Sequence, residues 1–111
     1  MSAAARNAAI VCWLATVASA LTGCGNATQH GAELFDLHCV DCHEMSNPDL
    51  KKRPPKLEGL FRAKTLPSGA PATDEQVGKT ILRGLRTMPA FDGRLSADDV
   101  NDLISYLHTL K

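Results

Sequence analysis

The feature that most constrains this chain is the pentapeptide CVDCH at residues 39–43. Two cysteines stand three positions apart, and His43 follows the second one directly. A C-x-x-C pair is typical of a redox-active disulfide or of half a structural zinc site, and with an adjacent histidine it is typical of covalent haem attachment. Each chemistry needs different support elsewhere, so the rest of the sequence discriminates among the three.

The residues on either side of this motif predict helices and loops. Leu34, Phe35 and Leu37 have helical spacing, which predicts a short amphipathic helix running from Gly31 into Cys39. Prolines then exclude a regular helix between residues 44 and 55. The segment KLEGLF at 56–61 suits a single helical turn.

Two further helices are predicted near the end of the chain. Thr73 and Gln76 have the spacing of a capping box, and Gly84 is a suitable stop for the helix that follows. Ser96 caps the last helix. The apolar face of that helix comprises Val100, Leu103, Ile104, Leu107 and Leu110. No alternating run is long enough for a strand, so the predicted fold class is all-α, with three to four helices and long loops.

This all-α pattern favours haem over the other two chemistries. A thioredoxin-like C-x-x-C sits near a βαβ pattern, and a structural zinc site requires four ligands. Neither strands nor a second C-x-x-C or H-x-x-x-H accompany the motif. Cys39 and Cys42 are therefore predicted to bind one haem c covalently, with His43 as the proximal iron ligand. The apolar ring would be surrounded by residues such as Leu57, Leu60, Leu85 and Leu95.

Five residues are candidates for the second axial ligand: Met45, Met88, His30, His38 and His108. Met45 and His38 lie too close to the motif in sequence to reach the opposite side of the ring. His30 and His108 are better explained as surface or boundary residues. Met88 stands in a proline-bearing loop with apolar neighbours, and we expect it to ligate the iron. A histidine and a methionine would leave no open position for substrate, which favours electron transfer over catalysis.

The first 23 residues have the pattern of an export signal. Arg6 precedes an apolar run of 14 residues from Ala8 to Leu21, shorter than the roughly 20 that a membrane span needs. The exit LTGC is similar to a bacterial lipobox, which would leave Cys24 as a lipidated N-terminus. Cleavage after Ala20 within Ala18-Ser19-Ala20 is the alternative. We expect a signal peptide at 1–23, a short tether at 24–30 and a haem domain at 31–111.

From Gly31 to Lys111 the sequence resembles the class I cytochromes c. Gly31 and Phe35 match the family's N-terminal helix, where the glycine allows close crossing with the C-terminal helix. Leu103 and Tyr106 match that partner helix. MPAF matches the methionine loop, and Pro55 in PPKL is similar to the family's proline whose carbonyl accepts a hydrogen bond from the proximal histidine, here His43. The resemblance implies a small helical bundle around one haem that relays single electrons in the bacterial periplasm.

The distribution of charged residues indicates which binding partners to expect. The chain has 12 basic and 12 acidic residues, so nothing indicates a nucleic-acid binder. Four positive charges within residues 51–56 would steer an acidic redox protein, or would simply be solvated. We expect a monomer or a subunit of a dehydrogenase, oxidase or respiratory complex, held at the membrane by lipid on Cys24. A gas- or peroxide-reactive sensor or enzyme, with an open or labile sixth iron position, is the alternative function.

Overall fold

The computed structural model describes residues 26–44, 50 and 52–111. The predicted signal peptide, Cys24 and Met45 lie outside these residues. Four α-helices and one 3-10 turn are present: α1 (Ala27–His38), α2 (Val40–His43), the 3-10 turn (Leu60–Arg62), α3 (Asp74–Arg83) and α4 (Ala97–Leu107). The described residues contain no strand beyond two isolated bridges, which confirms the predicted all-α class.

Helix α1 begins four residues earlier than predicted. The side chain of Asn26 accepts a hydrogen bond from the backbone N–H of Thr28 and caps the helix there. Residues 27–30, which the sequence analysis assigned to the tether, are thus the first turn of α1. That turn is also attached to α4, because His30 Nδ1 donates to Asp102 Oδ2 at 2.7 Å. This contact joins residues 72 positions apart, so local sequence gave no indication of it.

The buried face of α1 differs from the predicted one at a single position. Gly31, Leu34 and Phe35 are buried and lie at i, i+3 and i+4. Leu37 was predicted to share this face, and that prediction was wrong, because its side chain is 73% exposed. Position 37 lies outside the i, i+3, i+4 set that begins at Gly31.

The crossing of α1 and α4 organises the fold. A Cβ at Gly31 would overlap the backbone carbonyl of Asp102, so only glycine permits this approach. Beside it, Phe35 and Leu103 are each 1% exposed, and the Phe35 ring lies 5.2 Å from that of Tyr106. The close crossing and the partner face that the resemblance implied are both present.

Helices α3 and α4 begin at the predicted caps. Thr73 Oγ1 accepts from the N–H of Gln76, and Ser96 forms a reciprocal capping box with Asp99 rather than a single bond. Gly84 ends α3 with a φ of +74°. The buried hydrophobic core is built from Leu34, Phe35, Leu66, Val77, Ile81, Phe91, Leu95, Val100, Leu103, Ile104 and Leu107.

The segment between α2 and α3 has little regular structure. KLEGLF forms the predicted single turn, as the 3-10 turn. The N–H of Gly59 donates to the carbonyl of Leu110, which attaches this loop to the residues after α4. Over the described residues, no helix is both long enough and apolar enough to span a bilayer.

Candidate functional site

The CVDCH motif occupies the junction between α1 and α2. Cys39 caps the C-terminus of α1, and its carbonyl accepts from the N–H groups of Cys42 at 3.2 Å and His43 at 2.9 Å. The backbone therefore closes one turn across the motif. Residues three apart on such a turn share a face, so the two sulfurs are presented on the same side.

The two cysteines are free thiols, both partly buried. Burial, followed by the charge of Cys42, raises the pKa of Cys39 to about 11. A disulfide-exchange cysteine needs a lowered pKa, because the thiolate is the nucleophile. A redox disulfide at this motif is therefore not supported by its surroundings.

His43 is oriented by the chain that returns past it. Its Nδ1 lies 2.9 Å from the carbonyl oxygen of Pro55. A carbonyl only accepts, so Nδ1 carries the proton and donates, which leaves the lone pair of Nε2 for a metal. This is the hydrogen bond that the resemblance implied for Pro55.

Met88 lies on a separate segment, at the end of a two-residue turn. Leu85 and Met88 exchange backbone hydrogen bonds, N–H of Leu85 to Met88 at 3.2 Å and N–H of Met88 to Leu85 at 2.9 Å. Arg86 within this turn has a φ of +55°, and it is the one non-glycine residue with positive φ among those that the structure describes. A Cβ at Gly84 would approach the Met88 carbonyl oxygen to 2.5 Å. The Met88 backbone is thus held by a tight turn against Gly84.

The residues after Met88 fix the loop to the core. The N–H groups of Phe91 and Asp92 donate to the carbonyls of Ile81 and Leu82 on α3. The Phe91 ring also meets His38 edge-on, with centroids 5.6 Å apart. Met88 is half-buried and packs on the same core as Cys39 and Val40.

The other candidate ligands have different contacts. His108 donates from Nε2 to Asp74 Oδ1 at 2.7 Å and stacks on Phe61. His30 binds Asp102, and this hydrogen bond is the main reason that the pKa of His30 is raised. Both agree with the boundary roles expected for them.

Among the described residues, no cluster of three or more His, Cys, Asp or Glu side chains is arranged to hold a metal ion, so a protein-only zinc site gains no support there.

The chemistry of these donors fits one covalently attached haem. Two free thiols stand three residues apart on a hydrogen-bonded turn. In the imidazole of the adjacent His43, Nδ1 donates to the Pro55 carbonyl and Nε2 is left to bind a metal. Partly buried hydrophobic side chains that pack against the core include Cys39, Val40, Leu57, Leu60 and Met88. Leu85 is half-buried, whereas Leu95 is covered by polypeptide as part of the core, so their expected contact with the ring stays a prediction.

Comparison with known proteins identifies the class. Residues 26–107 match the family model described as cytochrome c oxidase, cbb3-type, subunit III. The cytochrome bc1 complex cytochrome c subunit of Corynebacterium diphtheriae is 32% identical over 82 residues, covering 73% of this chain and 26% of that protein. Cytochrome c6 of Diacronema lutheri is 26% identical, covering 70% and 89%. The crystal structure of cytochrome c6 from the diatom Phaeodactylum tricornutum shares the fold, with a TM-score of 0.59, 23% identity, and coverage of 74% and 91%.

The chain belongs to the mono-haem class I cytochromes c, and this family carries a covalently bound haem c. Its general function is haem-based electron transfer. The chain spans about a quarter of the length of the actinobacterial relatives that it matches.

Two features of the site have little signal in the sequence. One is Arg86, whose left-handed conformation shapes the turn before Met88; arginine carries no such preference in sequence. The other is the contact of His38 with Phe91, which fixes the end of α1 against the methionine loop. The residues of LRTM carry no turn signal of their own, and only Pro89 after them marks a loop.

Proposed function

We propose that this protein relays single electrons at the periplasmic face of a bacterial membrane through one haem c with histidine and methionine axial ligands. Cys39 and Cys42 would hold the haem as thioethers, and His43 and Met88 would ligate its iron. The observation that carries this proposal is the pair of fixed donors: Pro55 orients His43, and a hydrogen-bonded turn holds the Met88 backbone. When bound, the haem supplies a site that takes up and releases one electron.

The chain's own residues then have distinct tasks. The Pro55 carbonyl holds the proton on Nδ1 of His43, so that the ring keeps one tautomer and one orientation. The turn at residues 85–88 limits the movement of the methionine thioether. If His43 and Met88 both bound the iron, no position would be open to substrate, which supports an electron carrier rather than an enzyme.

Other parts of the proposal concern location and partners. Residues 1–23 would direct export, and lipid on Cys24 would anchor the mature protein; cleavage after Ala20 would instead release it. Relatives named as the cytochrome c subunit of a bc1 complex support a partner within a respiratory redox complex. The protein acts there as a monomer or as one subunit.

An optical spectrum tests the central claim. Protein made with a cytochrome c maturation system is measured oxidised and reduced, and again after carbon monoxide is added to the reduced form. Histidine and methionine ligation predicts a c-type spectrum, the weak near-red methionine–ferric band, and no change with carbon monoxide. A c-type spectrum that shifts with carbon monoxide would instead support the gas- or peroxide-reactive alternative.

Met88→Ala is expected to leave the haem attached, to open the iron to carbon monoxide and to lower the reduction potential by on the order of 0.1 V. Loss of the thioether removes a ligand that favours ferrous iron. Met45→Ala is the matched control and should keep the near-red band. If Met45→Ala loses the band and Met88→Ala keeps it, the assignment of Met88 is wrong.

His43→Ala should abolish the stable low-spin spectrum, because the proximal ligand is gone. The control is His38→Ala, which removes the neighbouring imidazole at the end of α1 but leaves the Pro55 hydrogen bond in place. An unchanged spectrum in His43→Ala would remove the basis for the whole assignment.

A further inference from the structure

The carbonyl that binds His43 belongs to a short hydrogen-bonded segment, residues 55–63, which we call the proximal segment. Its residues 57–63 form consecutive tight turns, in which three carbonyls each accept from the N–H three positions on. Only Lys56 separates these turns from Pro55. Because the turns are one hydrogen-bonded unit, a displacement of the unit also displaces the carbonyl that accepts from His43.

The far end of the proximal segment is attached to the residues that follow α4. The N–H of Gly59 donates to the carbonyl of Leu110 at 3.0 Å. The Phe61 ring stacks on the imidazole of His108, with centroids 3.7 Å apart and planes inclined at 12°. Within the described part of the chain, the Gly59 bond and the bond from His43 are the two hydrogen bonds that connect this segment to other elements. Two leucines of the segment add packing on the core, which is not directional.

His108 is itself fixed by two helices. Its backbone N–H donates to the carbonyl of Ile104 on α4 at 3.1 Å. Its Nε2 donates to Asp74 Oδ1 at 2.7 Å, and Asp74 is the first residue of α3, directly after the N-cap Thr73. These two bonds hold the plane of the imidazole against which the Phe61 ring lies.

We infer that His108 is a positioning residue for the proximal ligand His43. Anchored to α3 and α4, its imidazole holds Phe61 and with it the proximal segment, so that the Pro55 carbonyl stays on Nδ1 of His43. A hydrogen bond at Nδ1 makes the imidazole a more basic ligand. A looser bond would therefore disfavour ferric iron and raise the reduction potential. This role rests on the proposed ligation of iron by His43, and it adds a residue that controls that ligand from the other end of the chain.

Hydrogen exchange tests the positioning role. In the reduced, isotopically labelled haem protein, exchange with deuterium is followed by nuclear magnetic resonance at Gly59 N–H, His43 Nδ1–H and Leu103 N–H. His108→Ala removes the ring that stacks on Phe61. It should accelerate exchange of the first two protons on the order of fivefold relative to Leu103 in the core, and it should raise the reduction potential.

Two results of this measurement would overturn the inference. Equal acceleration at all three protons, with an unchanged potential, would show that His108 only stabilises the fold. Unchanged rates at Gly59 and His43 would show that the proximal segment does not depend on His108.

His30→Ala is the matched control, because it removes another histidine–aspartate hydrogen bond of 2.7 Å, which joins α1 to α4 through Asp102. The ratio of exchange rates should then stay at its wild-type value. His108→Phe keeps a ring on Phe61 and should restore most of the protection that His108→Ala loses. If His108→Phe behaves like His108→Ala, the stacked ring is not what holds the proximal segment, and the inference is wrong.

Asp74→Ala gives a second test that leaves both rings in place and changes an exposed position. It frees the imidazole of His108, so a smaller acceleration is expected at Gly59 and His43, and its absence would contradict the role of this pair. Failure of the positioning role differs from failure of the proposed function. A wild-type spectrum with the methionine band and no change with carbon monoxide, together with exchange rates unaffected by His108→Ala, would remove only the positioning role.

Discussion

The α1–α4 crossing and the segment from Met88 to Phe91 differ in what holds them. The crossing is an interlocked contact of polypeptide on polypeptide, with Gly31 against the Asp102 carbonyl and two side chains only 1% exposed. The methionine segment combines backbone hydrogen bonds with one buried side chain, Phe91, while Met88 itself is only half-buried. The first region is closed by polypeptide alone, whereas the second leaves the Met88 side chain partly open.

Gly31→Ala should have the largest effect, because the added Cβ overlaps the Asp102 carbonyl and the helices must separate. We expect a loss of about 3 kcal/mol or more in the free energy of unfolding, measured by denaturant titration of the holoprotein. Gly78→Ala is the matched control. Its Cβ would meet Ile104 and Val100 at an ordinary 3.5 Å, so its stability should change by within about 1 kcal/mol. Similar losses in both variants would refute the close-crossing explanation.

An intermediate effect is expected at Arg86, in the second region. Arg86→Pro fixes φ near −65°, which is incompatible with the +55° of this turn. The cost should be about 1–3 kcal/mol, with loss of the near-red methionine band and retention of covalent haem. Arg86→Gly accepts the positive φ and should keep the band. A proline variant with an intact band would mean that the turn does not position Met88.

The smallest effect concerns pH and returns to the crossing. The pKa of His30 is raised, chiefly by its hydrogen bond to Asp102 and also by the charges of Asp102, Asp99 and Glu33, while desolvation opposes the shift. A raised folded-state pKa means that the contribution to stability is complete below the unfolded value of about 6.5 and is lost as pH rises through the folded value. The melting temperature of wild type should therefore exceed that of His30→Gln most near pH 6.

The difference in melting temperature between wild type and His30→Gln should then decrease as the pH is raised toward about 8. Asp102→Asn removes the acceptor carboxylate and serves as the matched variant, so it should abolish the same pH-dependent part. A constant difference in melting temperature between wild type and His30→Gln across this pH range would show that the protonated form of His30 is not what stabilises the crossing.

The two regions also differ in how far sequence alone could predict them. Helix α4 was predicted from Ser96 onward, because its cap, its acidic first turn and its apolar face are all local signals. The first turn of α1 was missed, since it depends on Asn26 and on a contact with distant Asp102. Leu37 was wrongly assigned to the buried face of α1, because apolar character alone does not determine which face of a short helix is buried.

The site was predicted in its chemistry but not in its backbone. CVDCH contains its thiols and imidazole within five residues, so the local pattern was informative. The turn before Met88 requires positive φ at an arginine, and composition marked this stretch only as a loop. Whether Met88 binds the iron depends on tertiary placement, and it stays a prediction that the Met88→Ala spectrum will decide.

The early start of α1 limits how far the protein can travel. Only Gly25 and Asn26 separate Cys24 from Ala27, where the rigid helix begins. Three peptide steps span at most about 11 Å. With lipid on Cys24, as proposed, this short connection would keep the domain next to the membrane, and it could not diffuse freely through the periplasm. Its redox partner would then have to come to the bilayer surface, and the range of the electron would be set by lateral diffusion in the membrane plane.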